Sequence, residues 1–198
     1  KYLEEQATKN DIQVIITTHS TTIASAPPIR DIISINILKS GKIKITSLSK
    51  CKLEEKSEKF IDRWLDTTKS TLLFSKGAIL VEGLAEAMLI PKFAEIYLKD
   101  LIAKGKGVPS SLEEAGVSVI NMNGIFFQYF MQIYSGYKPI IPDKSNSENR
   151  EKYKNRVKEF ITKDSYNNDE FESTDNIPIR CVALTDNDPD KAEVPIKG

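Results

Sequence analysis

The chain has 198 residues, 40% of them hydrophobic and 28% charged, enough material for one good domain and part of another. Its 28 Lys and Arg balance its 28 Asp and Glu, so any grip on a polyanion comes from local patches and not from overall charge. No apolar run approaches the roughly 18 residues needed to span a bilayer, no signal peptide is recognisable, and Cys51 and Cys181 are too few and too far apart for a zinc cluster or a disulfide framework.

In chain order, Lys1 to Thr8 reads as the tail of a helix, and the apolar run from Asp11 to Ser20 predicts a strand ending in the only histidine, His19. A lone histidine after a strand is often just a hydrogen-bonded loop residue. Ile32 to Leu38 and Lys42 to Thr46, around Ser40-Gly41, predict a β-hairpin. Residues 48–76 read as a charged linker and a connecting helix. Gly77 to Val81 predicts a strand that stops at Glu82-Gly83, and Leu84 to about Lys104 a helix with Leu84, Met88, Phe93 and Ile96 among its apolar positions. Pro91 is expected to bend it, because proline removes one backbone donor. Val117 to Met122 predicts a second strand, Asn123-Gly124 its turn, and Ile125 to Tyr134 a second helix. A polar insert follows, from about Lys138 to Asn176. The last apolar run, Val182 to Leu184, stops at Thr185 and leads into Asp186 and Asp188. The order βαβαβ implies an α/β fold with a parallel sheet.

Within the insert, Arg150 to Lys163 carries Arg150, Lys152, Lys154, Arg156, Lys158 and Lys163 against only Glu151 and Glu159, whereas Asp164 to Asp175 is acidic. A basic helix beside a metal site would hold a DNA backbone, since phosphate contacts supply most non-specific affinity. An ordinary solvated helix with an acidic tail has the same composition. Tyr129, Tyr134 and Tyr137 read either as base-stacking groups or as core and surface filler.

The acids carry the chemical argument. Glu82 ends one apolar run; Asp186 and Asp188 follow another about a hundred residues later. If both runs are parallel strands of one sheet, the acids gather at its carboxyl edge, where open α/β sheets bind ligands. Glu86, four residues after Glu82, points back over the helix entrance, and Asp186 and Asp188, two apart, share one side of an extended segment. Four carboxylates so placed raise one another's pKa unless a counter-charge intervenes. A hard divalent cation supplies it, and all-oxygen ligation suits Mg²⁺ or Mn²⁺. Against this, Asp-Asn-Asp-Pro-Asp is also good turn chemistry, and Glu82-Gly83 is an ordinary helix start.

Val81-Glu82-Gly83 with Glu86, and Thr185-Asp186-Asn187-Asp188 downstream, resemble a Toprim domain, the metal-dependent fold of topoisomerases, bacterial primases and several nucleases. Upstream, Thr17-Thr18-His19-Ser20 resembles the switch-histidine strand near the end of ABC-type ATPase domains, where the imidazole lies by the nucleotide γ-phosphate. An ABC-type ATPase end followed by a Toprim domain is the arrangement of the OLD family (overcoming lysogenization defect), ATP-linked nucleases that include the large subunit of the Gabija anti-phage system. Arg63 to Gly77 is similar to the helix that leads into the first Toprim strand there. The resemblance implies a Toprim-type parallel sheet flanked by helices, preceded by the C-terminal end of an ABC-type ATPase domain. It divides the chain into an ATPase part (1–47), a linker and connecting helix (48–76), and a Toprim domain (77–198) interrupted at about 138–176.

The departures are as informative. No Gly-x-x-x-x-Gly-Lys-Ser/Thr phosphate loop occurs, and Gly105-Lys106-Gly107 lacks its spacing, so this stretch by itself is not expected to bind ATP in the family's way. The chain reads as an internal segment of a longer protein, with the ATPase core before it and the closing part of the Toprim fold after it. Residues 1–198 alone are accordingly expected to cut poorly.

The resemblance implies metal-assisted cleavage of DNA in a bacterial cytoplasm, in anti-phage defence or DNA processing. Asp186 and Asp188 would hold one Mg²⁺ or Mn²⁺, Glu82 would bridge to it or act as general base, and Glu86 would help place a second ion. ATP, bound by the longer protein, would be sensed by His19. The implied partners are DNA, further copies of the protein through the ATPase region, and a helicase-like protein, with no membrane. Three other readings stay open: a primase on the Toprim motifs alone, a phosphatase using Asp186 and Asp188 as its nucleophile loop, which leaves Glu82 unexplained, and a non-catalytic ATPase-associated dimerisation or sensor module that binds a regulatory cation.

Overall fold

The computed structural model describes residues 2–66, 68–124, 127–139, 152 and 171–185. Helix α1 (Tyr2–Asn10) stops at Asp11, which takes the left-handed conformation (φ 51°). Asp11 to Ser20, predicted as a strand, contains none. Ile12, Val14, Ile15 and Ile16 are exposed, and among the described residues no strand lies beside them. Apolar patterning supplies the side chains of a strand but not the partner whose N–H and C=O groups complete it.

Ser20 caps the short helix α2 (Thr21–Ala24), its hydroxyl accepting from the Ile23 N–H. The predicted hairpin is present: β1 (Ile33–Ile37) and β2 (Ile43–Ser47) pair antiparallel, with Ile35 opposite Ile45. Its polarity is inverted. Ser34 and Thr46 are buried, whereas Ile33, Ile35, Ile37, Ile43 and Ile45 are all exposed.

Asn176 accounts for this inversion. Its Oδ1 accepts from Lys44 Nζ (2.8 Å), its carbonyl accepts from Thr46 Oγ1 (2.9 Å), and its Nδ2 donates to the Tyr134 carbonyl (2.9 Å). The hairpin is thus fastened by its polar face, which leaves the isoleucine face outward.

Helix α3 (Glu55–Trp64) follows, and a 3-10 turn (Lys69–Leu73) leads to the central sheet. One continuous helix was expected across Arg63 to Gly77. It breaks because Asp66 turns its carboxylate onto the backbone, Oδ1 accepting from the Lys69 N–H at 2.8 Å. Asp and Thr compete in this way with helical hydrogen bonds, which lowers their helix propensity.

The sheet holds β3 (Gly77–Val81) and, after helix α4 (Leu84–Ala103), β4 (Val117–Asn121). Helix α5 (Phe127–Ser135) and the short pair β5 (Tyr137–Pro139) and β6 (Phe171–Ser173) precede β7 (Arg180–Leu184). β5 and β6 pair antiparallel and so join the two ends of the insert. Apart from an exposed Lys152, the basic stretch Arg150 to Lys163 lies outside the described residues.

The strand order is β4-β3-β7, all parallel. The chain moves one way from β3 to β4 and the opposite way from β4 to β7, so right-handed crossovers put α4 and α5 on opposite faces. Ala78 and Leu80 of β3 and Ile120 of β4 pack with Phe127, Phe130, Ile133 and Tyr134 of α5 in the main core. Tyr134 is therefore a core residue, and Tyr129 stacks on Phe60 with ring centres 4.3 Å apart. Full burial of side chains such as Phe130 and Ile133 stabilises by about 1.5–3 kcal/mol each.

Helix α4 is different. It runs through Pro91 without interruption, yet none of its residues is buried, and Leu84, Met88, Phe93 and Ile96 are exposed.

Two outcomes test this packing. Asn176→Ala removes the side-chain partner of Lys44 and of the Tyr134 carbonyl while leaving the backbone carbonyl that Thr46 binds, and should lower stability by about 2 kcal/mol in urea unfolding. Burial pushes the Cys51 thiol up to about 11, with Asp175 adding to and Lys44 opposing the rise, and burial pushes Cys181 up to about 12. Since the thiolate is the reactive form, both cysteines should resist a thiol reagent at pH 8 in the folded protein and react in urea.

Candidate metal centre

Register alone fixes which residues meet at the carboxyl edge. Val81 of β3 faces Asn121 of β4 on one side and Leu184 of β7 on the other. Glu82 and Thr185, each one residue further on, therefore leave the sheet side by side, and Thr185 Oγ1 donates a hydrogen bond to Glu82 Oε1. From the β4 side, the Gly124 N–H donates to the Glu82 carbonyl and the Met122 N–H to the Val81 carbonyl, both at 2.9 Å. Asn123 between them is left-handed (φ 55°), a conformation asparagine tolerates. Its N–H donates to Asn121 Oδ1 at 2.8 Å, which holds the turn.

Glu86 folds back over the start of α4. Its Oε2 accepts from the Gly83 N–H at 3.0 Å, so it satisfies one of the orphan donors at the helix N-terminus and places a negative charge there. Gly83 leaves room for this carboxylate: a Cβ in its place would sit 3.0 Å from that oxygen. Asp186 and Asp188 lie outside the described residues. Among the described residues, no three metal-ligating side chains gather into a cluster.

His19 is exposed in the segment without regular structure, directly before the Ser20 cap of α2. No hydrogen bond or ion pair joins it to Glu82 or Glu86 among the described residues.

Residues 73–139 match the family model described as overcoming lysogenization defect protein-like, TOPRIM domain. That segment is similar to an OLD-like Toprim domain. It takes in β3, α4, β4 and α5 and stops short of β7. Neither a curated protein nor a solved structure matches the chain. Toprim domains are metal-binding units of nuclease and primase type, and they bind divalent ions such as Mg²⁺. This sheet edge suits such an ion in its chemistry, since the side-chain groups meeting there are oxygens, the Glu82 carboxylate and the Thr185 hydroxyl. Among the described residues, no helix is long and apolar enough to cross a membrane.

Two residues near this sheet edge were not singled out as site residues in the sequence. Lys69 is buried at 4% exposure, with Nζ 3.0 Å from Asp66 Oδ2 and 5.9 Å from the centre of the Trp64 ring. It lines a small cavity with Phe60, Trp64, Met122, Asn123 and Phe130, under the turn that holds Glu82. Burial raises the Asp66 carboxyl, but the backbone and side-chain bonds from Lys69 outweigh it and hold the group below its usual range. The spacing Asp66-x-x-Lys69 was the available signal, since i,i+3 charges are neighbours on a helical turn. The other is Thr185, a hydroxyl at the last position before the acidic motif.

The role of Glu86 at the helix start is testable by stability. Glu86→Ala should cost about 1 kcal/mol in urea unfolding, while Glu86→Gln, which keeps an acceptor for the Gly83 N–H, should retain most of it.

Proposed function

We propose that this chain carries the cutting site of a metal-dependent DNA endonuclease of the OLD type, coupled in the intact protein to an ATPase. The observation that carries the reading is the meeting of Glu82, inside the Toprim-matched stretch, with Thr185, well outside it, at one edge of in-register parallel strands. Thr185 directly precedes Asp186 in the sequence, and the acidic motif is taken to act at the edge where Glu82 sits.

In this reading Glu82, Asp186 and Asp188 hold a divalent ion. An ion held by these carboxylates would supply polarisation of the phosphoryl oxygen and a counter-charge for the leaving oxygen. Glu82 has two tasks open to it: it binds the ion through one oxygen, or accepts the proton of the attacking water. Glu86 keeps Oε2 on the Gly83 N–H, so its other oxygen is the one assigned to a second ion. The DNA backbone is held by basic groups, with Arg150 to Lys163 the leading candidates in this chain.

Residues 1–47 are assigned to the end of an ABC-type ATPase domain, with His19 as its nucleotide-sensing group. Its exposure is what a residue facing a nucleotide held elsewhere requires. Assembly through that ATPase region, a helicase-like partner and a role in anti-phage defence belong to the same proposal.

Nicking of supercoiled plasmid by the intact protein with Mg²⁺ or Mn²⁺ is the direct test. Glu82→Gln should reduce the rate by about 10²-fold or more, the usual contribution of a positioned base; full activity in that variant would overturn the assignment. His19→Ala should impair ATP turnover while leaving the melting temperature unchanged, and wild-type turnover would remove the switch role.

A further inference from the structure

We propose that Thr185 is a positioning residue for Glu82, its hydroxyl holding the carboxylate in the orientation that receives the divalent cation. The inference rests on the metal-site reading of this edge and deepens it, by naming a group of the chain that is not itself required as a ligand.

The backbone half of the arrangement comes from the sheet. β3 and β7 are paired in register up to Val81 and Leu184, so the first residues beyond them are adjacent without any adjustment of the loops. Glu82 is then held on two sides, by the Gly124 N–H on its carbonyl and by Thr185 Oγ1 on its side chain. These contacts have different effects. The first fixes where the glutamate leaves the sheet; the second restricts the rotation of a flexible side chain.

Threonine suits this role. It is stiff at χ1, so a hydroxyl on a strand end is held in place. A hydroxyl donor aimed at a carboxylate makes a charge-assisted hydrogen bond, which fixes the direction in which the Glu82 side chain extends. Hydrogen-bonded partners of ligating carboxylates set the ligand's orientation, and losing one typically weakens metal binding. Thr185 also directly precedes Asp186, so a single residue links the Glu82 side chain to the backbone that carries the other proposed ligands.

The test is direct Mn²⁺ binding to the intact protein, measured from the electron paramagnetic resonance signal of the free ion, for wild type, Thr185→Val, Thr185→Ala, Thr185→Ser and Glu82→Gln. Valine keeps the shape and strand preference of threonine, and alanine gives a second route to the same loss should valine disturb folding. Both should weaken the tighter site by about 10-fold, with Thr185→Ser staying within about twofold of wild type. Plasmid nicking should follow, its Mn²⁺ midpoint rising while the rate at saturating Mn²⁺ changes little. Wild-type affinity in both Val and Ala variants, or a serine variant as weak as valine, would overturn the positioning role. Weak binding in Glu82→Gln together with normal binding in Thr185→Val would remove Thr185 alone. Wild-type binding in Glu82→Gln would remove Glu82 as a ligand, and the present proposal with it.

Discussion

Strand β3 is paired on both sides by parallel neighbours, and the arrangement of the candidate site follows from that constraint. A parallel ladder leaves no freedom in which residues emerge together: once Gly77 faces Val117 and Arg180, Val81 must face Asn121 and Leu184. Gly77 itself helps set the start, because a Cβ there would meet Val117 Cγ2 at 3.2 Å. The polar groups just past the strand ends are then brought together by hydrogen bonds made in the sheet. A strained loop is not required to do it.

The two halves of the described chain are joined by polar contacts as much as by apolar ones. Asn176 gathers Lys44, Thr46 and the Tyr134 carbonyl, and the Asp175 N–H donates to the Lys50 carbonyl. On the other side, Ser70 Oγ donates to the Thr21 carbonyl and Asp62 accepts from the Ile29 N–H. Such bonds contribute modestly while made and cost more when one partner is lost, which gives the join directionality that apolar contact lacks.

The apolar surface is distributed unusually. The hairpin shows five isoleucines to the outside, and α4 is apolar along its length yet buries no residue completely. Its polar surface carries Lys92 and Lys99, both paired with Glu95. Here its covered side is the one toward β3 and β4. Leu84, Met88, Phe93 and Ile96 were legible as apolar positions, but apolar character by itself does not state how far a residue is covered.

By itself the sequence determined the elements whose signals are local. The apolar runs gave β3 and β4, the alternation around Ser40-Gly41 gave the hairpin, the start of α4 after Glu82-Gly83 was plain, and Glu82 was correctly placed at a strand end. Tertiary structure decided what depends on a distant partner. It placed the Thr185 end of β7 beside Glu82 across about a hundred residues, left Asp11 to Ser20 without a strand because none of the described residues pairs with it, and turned the hairpin's polar face inward onto Asn176. It also committed Glu86 to the Gly83 N–H and buried Lys69 against Asp66 and Trp64. Periodicity reports which face of an element is apolar; which element meets that face, and which polar groups end up sharing a proton, is fixed only by packing between residues far apart in the chain.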